Sequence, residues 1–519
     1  MTDDCRPPTD DSNRFLEDAA HYPGGHASGI VFPRTDDDVV EALRSAPTVL
    51  PIGAQSSLTG GATPMGELIL STAKMARIVE RSAEAITVEP GITVAAMQEA
   101  LAEVGAWFPP APTFTGATAG GIVATNAAGA ATFKYGSTRE WVTALRVVLA
   151  DGTLLDVERG AHVAVAGALH VPRRNGSVAV PVPRYHMPAV AKRSAGYHAE
   201  PGMDLIDLFI GSEGTLGVVT RVTLRVIAPA PRVALAWVPC RSERQALDLV
   251  AELRAASQHT WRRADGEGPD ISAIEYMDRR SLSILREDGV DRRHNVAIGG
   301  DLAVAAVVQI ELPRRLSAED AFNQVQRAGS DADTPGAIAS FCRTLERFGA
   351  LEETEIVWPE DHRRAADLIA VREAVPAGVN QRVGAAKRDV DDRIEKTAAD
   401  MIAPFERLAE MMDIYRRGFE ARGLDYAVWG HLSDGNVHPN VIPRTYADVV
   451  AGKDAILEFG REVVRLRGCP LAEHGVGRNP VKQALLEQLY GREGIEDMRA
   501  VKRALDPGWK LAPGVIFAR

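Results

Sequence analysis

Between residues 30 and 227 short apolar, β-branched runs alternate with turns rich in glycine and proline. The runs 49–52, 69–71, 86–89, 145–149 and 216–226 have the length and residue types of strands. One helix interrupts them. Behind Thr93, a good N-cap, the apolar residues Val94, Met97, Leu101 and Val104 recur at helical spacing, and Gly105 stands where a C′ glycine ends a helix. The pattern predicts an α+β region of many short strands. From 157 to 204 it turns irregular, with prolines and basic residues in VPRRNGSVAVPVPRYHMP, which predicts an inserted surface hairpin and long loop.

A second pattern starts near Arg232: a strand (VALAWVP), then a helix opened by a Ser242/Gln245 capping box with Ala246, Leu247, Val250 and Leu253 on one face. Strands at 271–277 and 302–312 and a helix after Ser317 continue an alternation that predicts a sheet with helices on it. Helical segments are expected at 363–374, 396–422 and 454–466, then two short helices and a tail.

Composition sets limits on this picture. The chain has 519 residues, 45% apolar and 25% charged, as soluble globular proteins do. Its 59 Lys+Arg against 70 Asp+Glu leave a net charge of −11, which argues against a nucleic-acid-binding protein. The apolar stretch 116–131 is rich in Gly and Thr, unlike a lipid-facing helix, so no integral membrane segment is expected. MTDDCRPPTDDSNRF has acids and prolines where a signal peptide needs a basic start and an apolar run, which predicts a cytoplasmic protein, with loose membrane association through a partner still open. Cys5, Cys240, Cys342 and Cys469 stand far apart with no CxxC pair, so neither a disulfide framework nor an iron–sulfur cluster is expected.

Three segments carry glycine-dense chemistry. PIGAQSSLTGG (51–61) follows an apolar strand and offers small residues and hydroxyls to an anion, although alone it reads more readily as a mere turn. It is neither a Walker A loop nor a dinucleotide fingerprint. PPAPTFTGATAGGIVATNAAGAATFKYG (109–136) and LFIGSEGTLGVVT (208–220) are further tracts whose backbones line something. Together, in this order, the three resemble the FAD-binding domain of the vanillyl-alcohol oxidase and p-cresol methylhydroxylase flavoproteins. The resemblance implies Gly53, Ala54, Gln55, Ser56 and Ser57 at the diphosphate, and Pro112, Thr115, Thr118, Gly121, Asn126, Gly129 and Gly136 around the ring and its chain. Gly211, Glu213, Gly214 and Gly217 would complete the pocket. Members with covalent flavin often carry a His in the first loop; this chain has none there, so non-covalent FAD is expected.

In YAVWGHLSDGNVHPN (426–440) the pair Asp434-Gly435 is a favoured two-residue turn. Counting back from it sets His431 opposite His438, about 4.5 to 5.5 Å apart at Cβ and near enough to share a divalent ion. A histidine pair merely packed on a sheet is the plain alternative. LAEHGVG (471–477) offers Glu473 as a third ligand, beside His474. The hairpin and the EHGxG loop resemble the C-terminal half of the FAD-linked D-2-hydroxyacid dehydrogenases, which act on D-lactate, glycolate or D-2-hydroxyglutarate. That resemblance implies His431, His438 and Glu473 as ligands of zinc or a similar ion, His474 as catalytic base, Asn440 near the substrate, and Arg372 and Lys387 on its carboxylate. Pro376 and Ala512 depart from the residues many relatives carry near substrate and flavin.

The implied fold is α+β, with an N-terminal arm (1–29) and a p-cresol-methylhydroxylase-type FAD-binding domain of two α/β subdomains (30–229, insert 157–204). A ferredoxin-like α+β substrate domain with the metal hairpin (230–450) and a C-terminal helical return completing the active site and flavin pocket (451–519) follow. The implied activity is oxidation of a D-2-hydroxy acid to the 2-oxo acid. The expected partners are the acid and an external electron acceptor, a cytochrome, quinone or electron-transfer flavoprotein, and a homodimer is compatible. An alkylglycerone-phosphate synthase of ether-lipid synthesis and a catalytically silent flavin-binding protein are the rival readings.

Overall fold

The computed structural model describes residues 10–173, 176–263, 268–328 and 335–518. Cys5, the first nine residues of the N-terminal arm, and Arg174 and Asn175 of the insert lie outside them. The chain forms two compact units, one of residues 1–129, 136–230 and 463–519, the other of 130–135 and 231–462. Among the described residues no helix is long and apolar enough to cross a membrane.

In the first unit β1 (Gly29–Val31), β2 (Val49–Ile52) and β3 (Leu68–Ser71) form a parallel sheet in the order β1-β3-β2. β4 (Ile78–Arg81), β5 (Ala85–Val88), β6 (Val142–Val148) and β7 (Leu154–Glu158) come next, then the hairpin of β8 (Ala168–Arg173) with β9 (Gly176–Pro181), and β10 (Val218–Arg225). β4, β5, β10, β6 and β7 pair in that order as an antiparallel sheet. β10 alternates valine, threonine and leucine on its buried side with half-exposed residues on the other, as a sheet covered on one face requires. The helix Val94–Ala102 is capped by Thr93, whose side chain accepts from Ala96 N, and buries Val94, Met97 and Leu101. It ends before Val104, which lies in the turn and is exposed, while Gly105 takes φ +68°. The C-terminal strand of chain returns to β2: Val49 N donates to Lys510 O at 2.8 Å and Ala512 N to Val49 O at 2.8 Å. Leu511 thereby joins a core of Val49, Leu70, Val148 and Val218.

The second unit is built on eight antiparallel strands among the described residues. They are β11 (Arg232–Cys240), β12 (Ile271–Asp278), β13 (Val304–Leu312), β14 (Glu355–Val357), β15 (Thr397–Ala398), β16 (Met401–Ile402), β17 (Tyr426–His431) and β18 (Asn436–Val441). The order is β14-β11-β13-β12-β17-β18-β15, with β16 also on β18. The helices Arg279–Glu287 and His362–Asp389 pack on one face over Trp237, Met277, Leu282, Leu368, Val371, Val375 and Trp429. The helix Glu243–Arg263 lies outside that cluster and covers β11, β12 and β13 through Leu249, Val250 and Leu253. With helices on both faces the central strand β12 is buried from Ile271 to Met277, so it lacks alternation.

Two helical expectations differ. Of 396–422 only Leu408–Glu420 is an α-helix; the residues before it form β15 and β16, which give the backbone of β18 its hydrogen-bond partners. The helix at 363–374 continues through Pro376 to Asp389. The stretch Pro480–Leu505 is two helices that meet at the non-helical Gly491 (φ +69°), followed by a tail, as expected.

Candidate active site

The first unit gathers the glycine-rich segments around one loop. At the end of β2, a Cβ on Gly53 would stand 2.3 Å from Thr118 Oγ1, so the first loop and the second touch backbone to side chain. Thr118 caps the helix Ala119–Ala124 by accepting from Gly121 N. Gln55 takes φ +53° and donates to Phe15 O at 2.9 Å, tying the loop to the N-terminal arm. Ser57 and Thr59 share a hydrogen bond of 3.1 Å; Ala54 and Ser56 lie in the same loop. In the second segment Asn126 (φ +48°) accepts from Ser137 Oγ at 3.0 Å and Arg139 N at 2.9 Å. A Cβ on Gly129 would lie 2.2 Å from Ala111 O, next to Pro112, and Gly136 takes φ +74°. Thr115 carries the start of the neighbouring helix by accepting from Ala95 N at 2.9 Å. The third segment meets the second where Gly211 N donates to Val123 O (2.9 Å) and Glu213 N to Ala124 O (2.8 Å). Gly214 takes φ +71°, and Gly217 has its Cα hydrogen against Val147, where a Cβ would be 2.3 Å away.

The loop 471–477 closes on these segments. Val476 N and Gly477 N each donate to Glu213, to Oε1 and Oε2 respectively, at 2.8 Å. Arg478 N and Asn479 N donate to Thr59 O at 2.9 and 3.0 Å. Ser194, from the insert, donates through its N to Ala472 O and through Oγ to Thr125 O, both at 2.9 Å. Glu473 is ion-paired at 2.9 Å to Lys192, a fully buried residue of the insert, and its other oxygen lies 3.4 Å from His474 Nε2. Gly475 (φ +74°) and Gly477 (φ +58°) allow the turn, since a Cβ on Gly477 would stand 2.3 Å from Thr59 O. Small residues in left-handed backbone, packed against threonine side chains, form a cradle that side chains would fill, and this fits a dinucleotide cofactor.

Loss of solvent around Glu213 pushes its carboxyl from 4.5 up to about 7, against the pull of its two N–H donors. A group raised on folding stabilises the fold fully below its unfolded value and loses that contribution as pH rises through its folded value. The thermal midpoint is therefore expected to fall as pH rises from about 4.5 to about 7. In Glu213→Gln that slope flattens; a slope unchanged by the substitution would assign it to other groups.

In the second unit, β17 and β18 pair His431 with Asn436 and Trp429 with His438. The connection is four residues, Leu432 to Gly435, instead of the two-residue turn the DG pair suggested. Tertiary partners shape it: Ser433 Oγ accepts from Ile274 N at 3.1 Å, and Asn436 Nδ2 donates to Asp400 Oδ1 and Met401 O, each at 3.0 Å. The register therefore slips by two residues, an even number, so both histidines stay on one face. Their rings sit edge to face with centroids 5.6 Å apart. His431 Nδ1 is 2.5 Å from Glu275 Oε1, and His438 Nδ1 is 3.5 Å from Asp400 Oδ1. Arg372, on the helix His362–Asp389, donates through Nε and Nη2 to Glu275 Oε2 at 2.6 Å. Asn440, on the same face of β18, donates to His438 O at 2.9 Å, while its Oδ1 is buried with no hydrogen-bond partner. His438 and Asp400 belong to a group of side chains whose ligand atoms could meet one metal ion, a group that does not include His431, and with the orphaned Asn440 oxygen they offer donors of the kind a borderline divalent ion and a polar ligand take.

Gly430 makes this hairpin possible. It takes φ +145°, and a Cβ there would lie 2.7 Å from Asn436 O and 2.8 Å from Val437 Cα. Gly430→Ala is expected to destabilise the protein by about 2 to 4 kcal/mol, read as a lower denaturation midpoint; an unchanged midpoint would show that the hairpin yields without cost.

The structure brings Arg372 to His431 through Glu275 but does not bring Lys387 to Arg372. Lys387 is exposed in the last turn of the same helix, fifteen residues on, a rise of about 22 Å. Sequence reasoning missed Glu275, Asp400 and Lys192. Glu275 alone left a signal, an acid inside the apolar run ISAIEYMD; the other two sit in loops without periodicity. Cys240 and Cys342 are free and buried, and Cys469 donates to Leu471 O at 3.2 Å.

Residues 27–158 match the family described as FAD binding domain, and residues 240–516 match the one described as FAD linked oxidases, C-terminal domain. The chain belongs to the FAD-linked oxidases. Two relatives of this FAD-linked oxidase align along nearly its whole length. A D-2-hydroxyglutarate dehydrogenase of Xanthomonas citri pv. viticola is 29% identical over 94% of this chain and 89% of that protein. A D-lactate dehydrogenase of Archaeoglobus fulgidus is 27% identical over 94% and 91%. Among solved structures, p-cresol methylhydroxylase with substrate bound superposes with a TM-score of 0.69 at 15% identity, covering 99% of this chain and 94% of that one. The α+β architecture of the FAD-linked oxidase is thus the expected p-cresol-methylhydroxylase-type fold, and the protein is an FAD-linked oxidoreductase.

Proposed function

We propose that this FAD-linked oxidase oxidises a D-2-hydroxy acid, such as D-lactate, glycolate or D-2-hydroxyglutarate, to the 2-oxo acid and passes the electrons to an external acceptor. The observation that carries the reading is the tethering of the Glu473–His474 loop to all three glycine-rich segments of the FAD-binding unit, through Glu213, Thr59 and Thr125 by way of Ser194. A base held there is held by the flavin pocket itself. The names of the two relatives agree with the substrate class.

In this reading Gly53 to Ser57 and the left-handed residues Asn126, Glu213 and Gly214 hold FAD without a covalent bond, since the first loop has no histidine. His431, His438 and Glu473 would hold a divalent ion, for which zinc suits the nitrogen and carboxylate donors. Bound FAD would take the Cα hydride, and the ion would stabilise the charge that develops on the substrate oxygen. His474 accepts the hydroxyl proton. Arg372 fixes the substrate carboxylate and with it the Cα hydrogen that is lost. Asn440 offers its unpartnered Oδ1 to the substrate.

The test is anaerobic mixing of the FAD-loaded, zinc-replete protein with D-lactate, L-lactate, glycolate and D-2-hydroxyglutarate in turn, following the visible flavin absorbance. Bleaching by a D-acid or glycolate and not by L-lactate is the expected result. No bleaching by any of them, with a flavin that dithionite still reduces, overturns the reading and favours the ether-lipid synthase, which should show no net reduction with hydroxy acids.

A further inference from the structure

We infer that Glu275 is the positioning residue of the second unit's polar face, holding the His431 imidazole for a metal with one carboxylate oxygen and Arg372 for the substrate with the other. The inference rests on the function proposed above and adds a residue to it. Glu275 interrupts a strand whose neighbours from Ile271 to Met277 are all buried, and it is itself only 5% exposed. A carboxylate so placed is costly unless it is paired and fully hydrogen-bonded, and an apolar residue in its place would pack at least as stably. Its presence in the middle of a sheet therefore points to what it holds.

Register delivers it to both partners. Glu275 lies directly opposite His431 across β12 and β17, the arrangement that brings Cβ atoms within about 4.5 to 5.5 Å. Its Oε1 meets Nδ1 of His431 at 2.5 Å. A strong acceptor at Nδ1 keeps the proton there and leaves Nε2 without one, which is the state of an imidazole that binds a metal. Its Oε2 takes Nε and Nη2 of Arg372 at 2.6 Å. The guanidinium is planar and rigid, so holding that edge orients the Nη1 side for a second carboxylate. One side chain thus sets the ligand nitrogen and the substrate clamp together. The neighbouring histidine has a counterpart in Asp400, 3.5 Å from His438 Nδ1.

The test compares Glu275→Gln with the parent in three readouts. Zinc alone is titrated into the metal-free protein against a chromophoric chelator, the Michaelis constant for the hydroxy acid is measured at saturating zinc, and FAD content is determined. Expected are about 10- to 100-fold weaker zinc binding and a raised KM, with FAD content unchanged. Arg372→Gln is expected to raise KM and leave zinc affinity at the parent value. A merely structural role would lower the midpoint of unfolding and FAD content without moving zinc affinity. Zinc affinity equal to the parent's overturns the positioning role. Parent protein that binds no zinc overturns the metal reading beneath it as well. Should Glu275→Gln not fold, the tautomer of His431 in the zinc-free parent decides, read from nitrogen-15 histidine spectra and assigned by the signal missing in His431→Gln. The proton on Nδ1 supports the inference, and the proton on Nε2 overturns it.

Discussion

Replacing His474 by alanine is expected to lower the rate of anaerobic flavin reduction by the hydroxy acid by a factor on the order of 10² to 10⁴, the usual loss when a positioned general base is removed. FAD content stays at the parent level, because the loop is held by its backbone. Val476 N and Gly477 N bind Glu213, and Arg478 N and Asn479 N bind Thr59, so none of these tethers passes through the imidazole. The side chain is 29% exposed and sits beside Glu473, so its removal leaves no large cavity. The substrate's KM is expected to change far less than the rate, since a base proposed to act on the proton that moves in the transition state contributes little to ground-state binding. A variant that reduces its flavin at the parent rate removes His474 from the mechanism.

The second large effect concerns the metal. Exhaustive chelation, or His438→Gln, is expected to slow flavin reduction on the order of 10³-fold, equivalent to about 4 kcal/mol of transition-state stabilisation. Returning zinc restores the chelated parent but not the variant at the same zinc concentration. His438 is 7% exposed on a strand buried along its length, so the fold of the variant is checked by its unfolding midpoint and FAD content. Glutamine is chosen because it keeps volume and a polar atom beside Asp400. Chelated protein that still reduces its flavin at the parent rate leaves the two histidines as a packed pair and moves the stabilisation of the alkoxide to Arg372 and Asn440.

Much of the first unit was legible because its chemistry is contiguous in the chain. Runs such as Val49–Ile52 and Val218–Arg225 carry strand residues and period, and each glycine-rich loop declares a backbone conformation that other residues rarely adopt. The histidine hairpin was visible for the same reason, since Gly435 and the apolar flanks mark it.

What the chain did not reveal depends on residues distant in sequence. The DG pair suggested a two-residue turn, yet Asp400, Met401 and Ile274 draw Asn436 and Ser433 into a longer one. The histidines kept their common face only because the slip is even. Arg372 and Lys387 share one helix, and its rise separates them, which a motif alone cannot express.

By itself, then, the sequence determined most element types, though not the strands at Thr397–Ala398 and Met401–Ile402, together with the α+β class, the glycine loops and the identity of the candidate histidines, because propensity, period and φ preference are local properties. Only the tertiary structure decided that Glu275 faces His431 and Arg372, that Lys192 reaches Glu473, and that Glu213 holds the loop beside His474. Those pairings join residues from 97 to 281 positions apart. Such pairs are selected by burial and by the need to satisfy every buried charge, and no pattern along the chain records them.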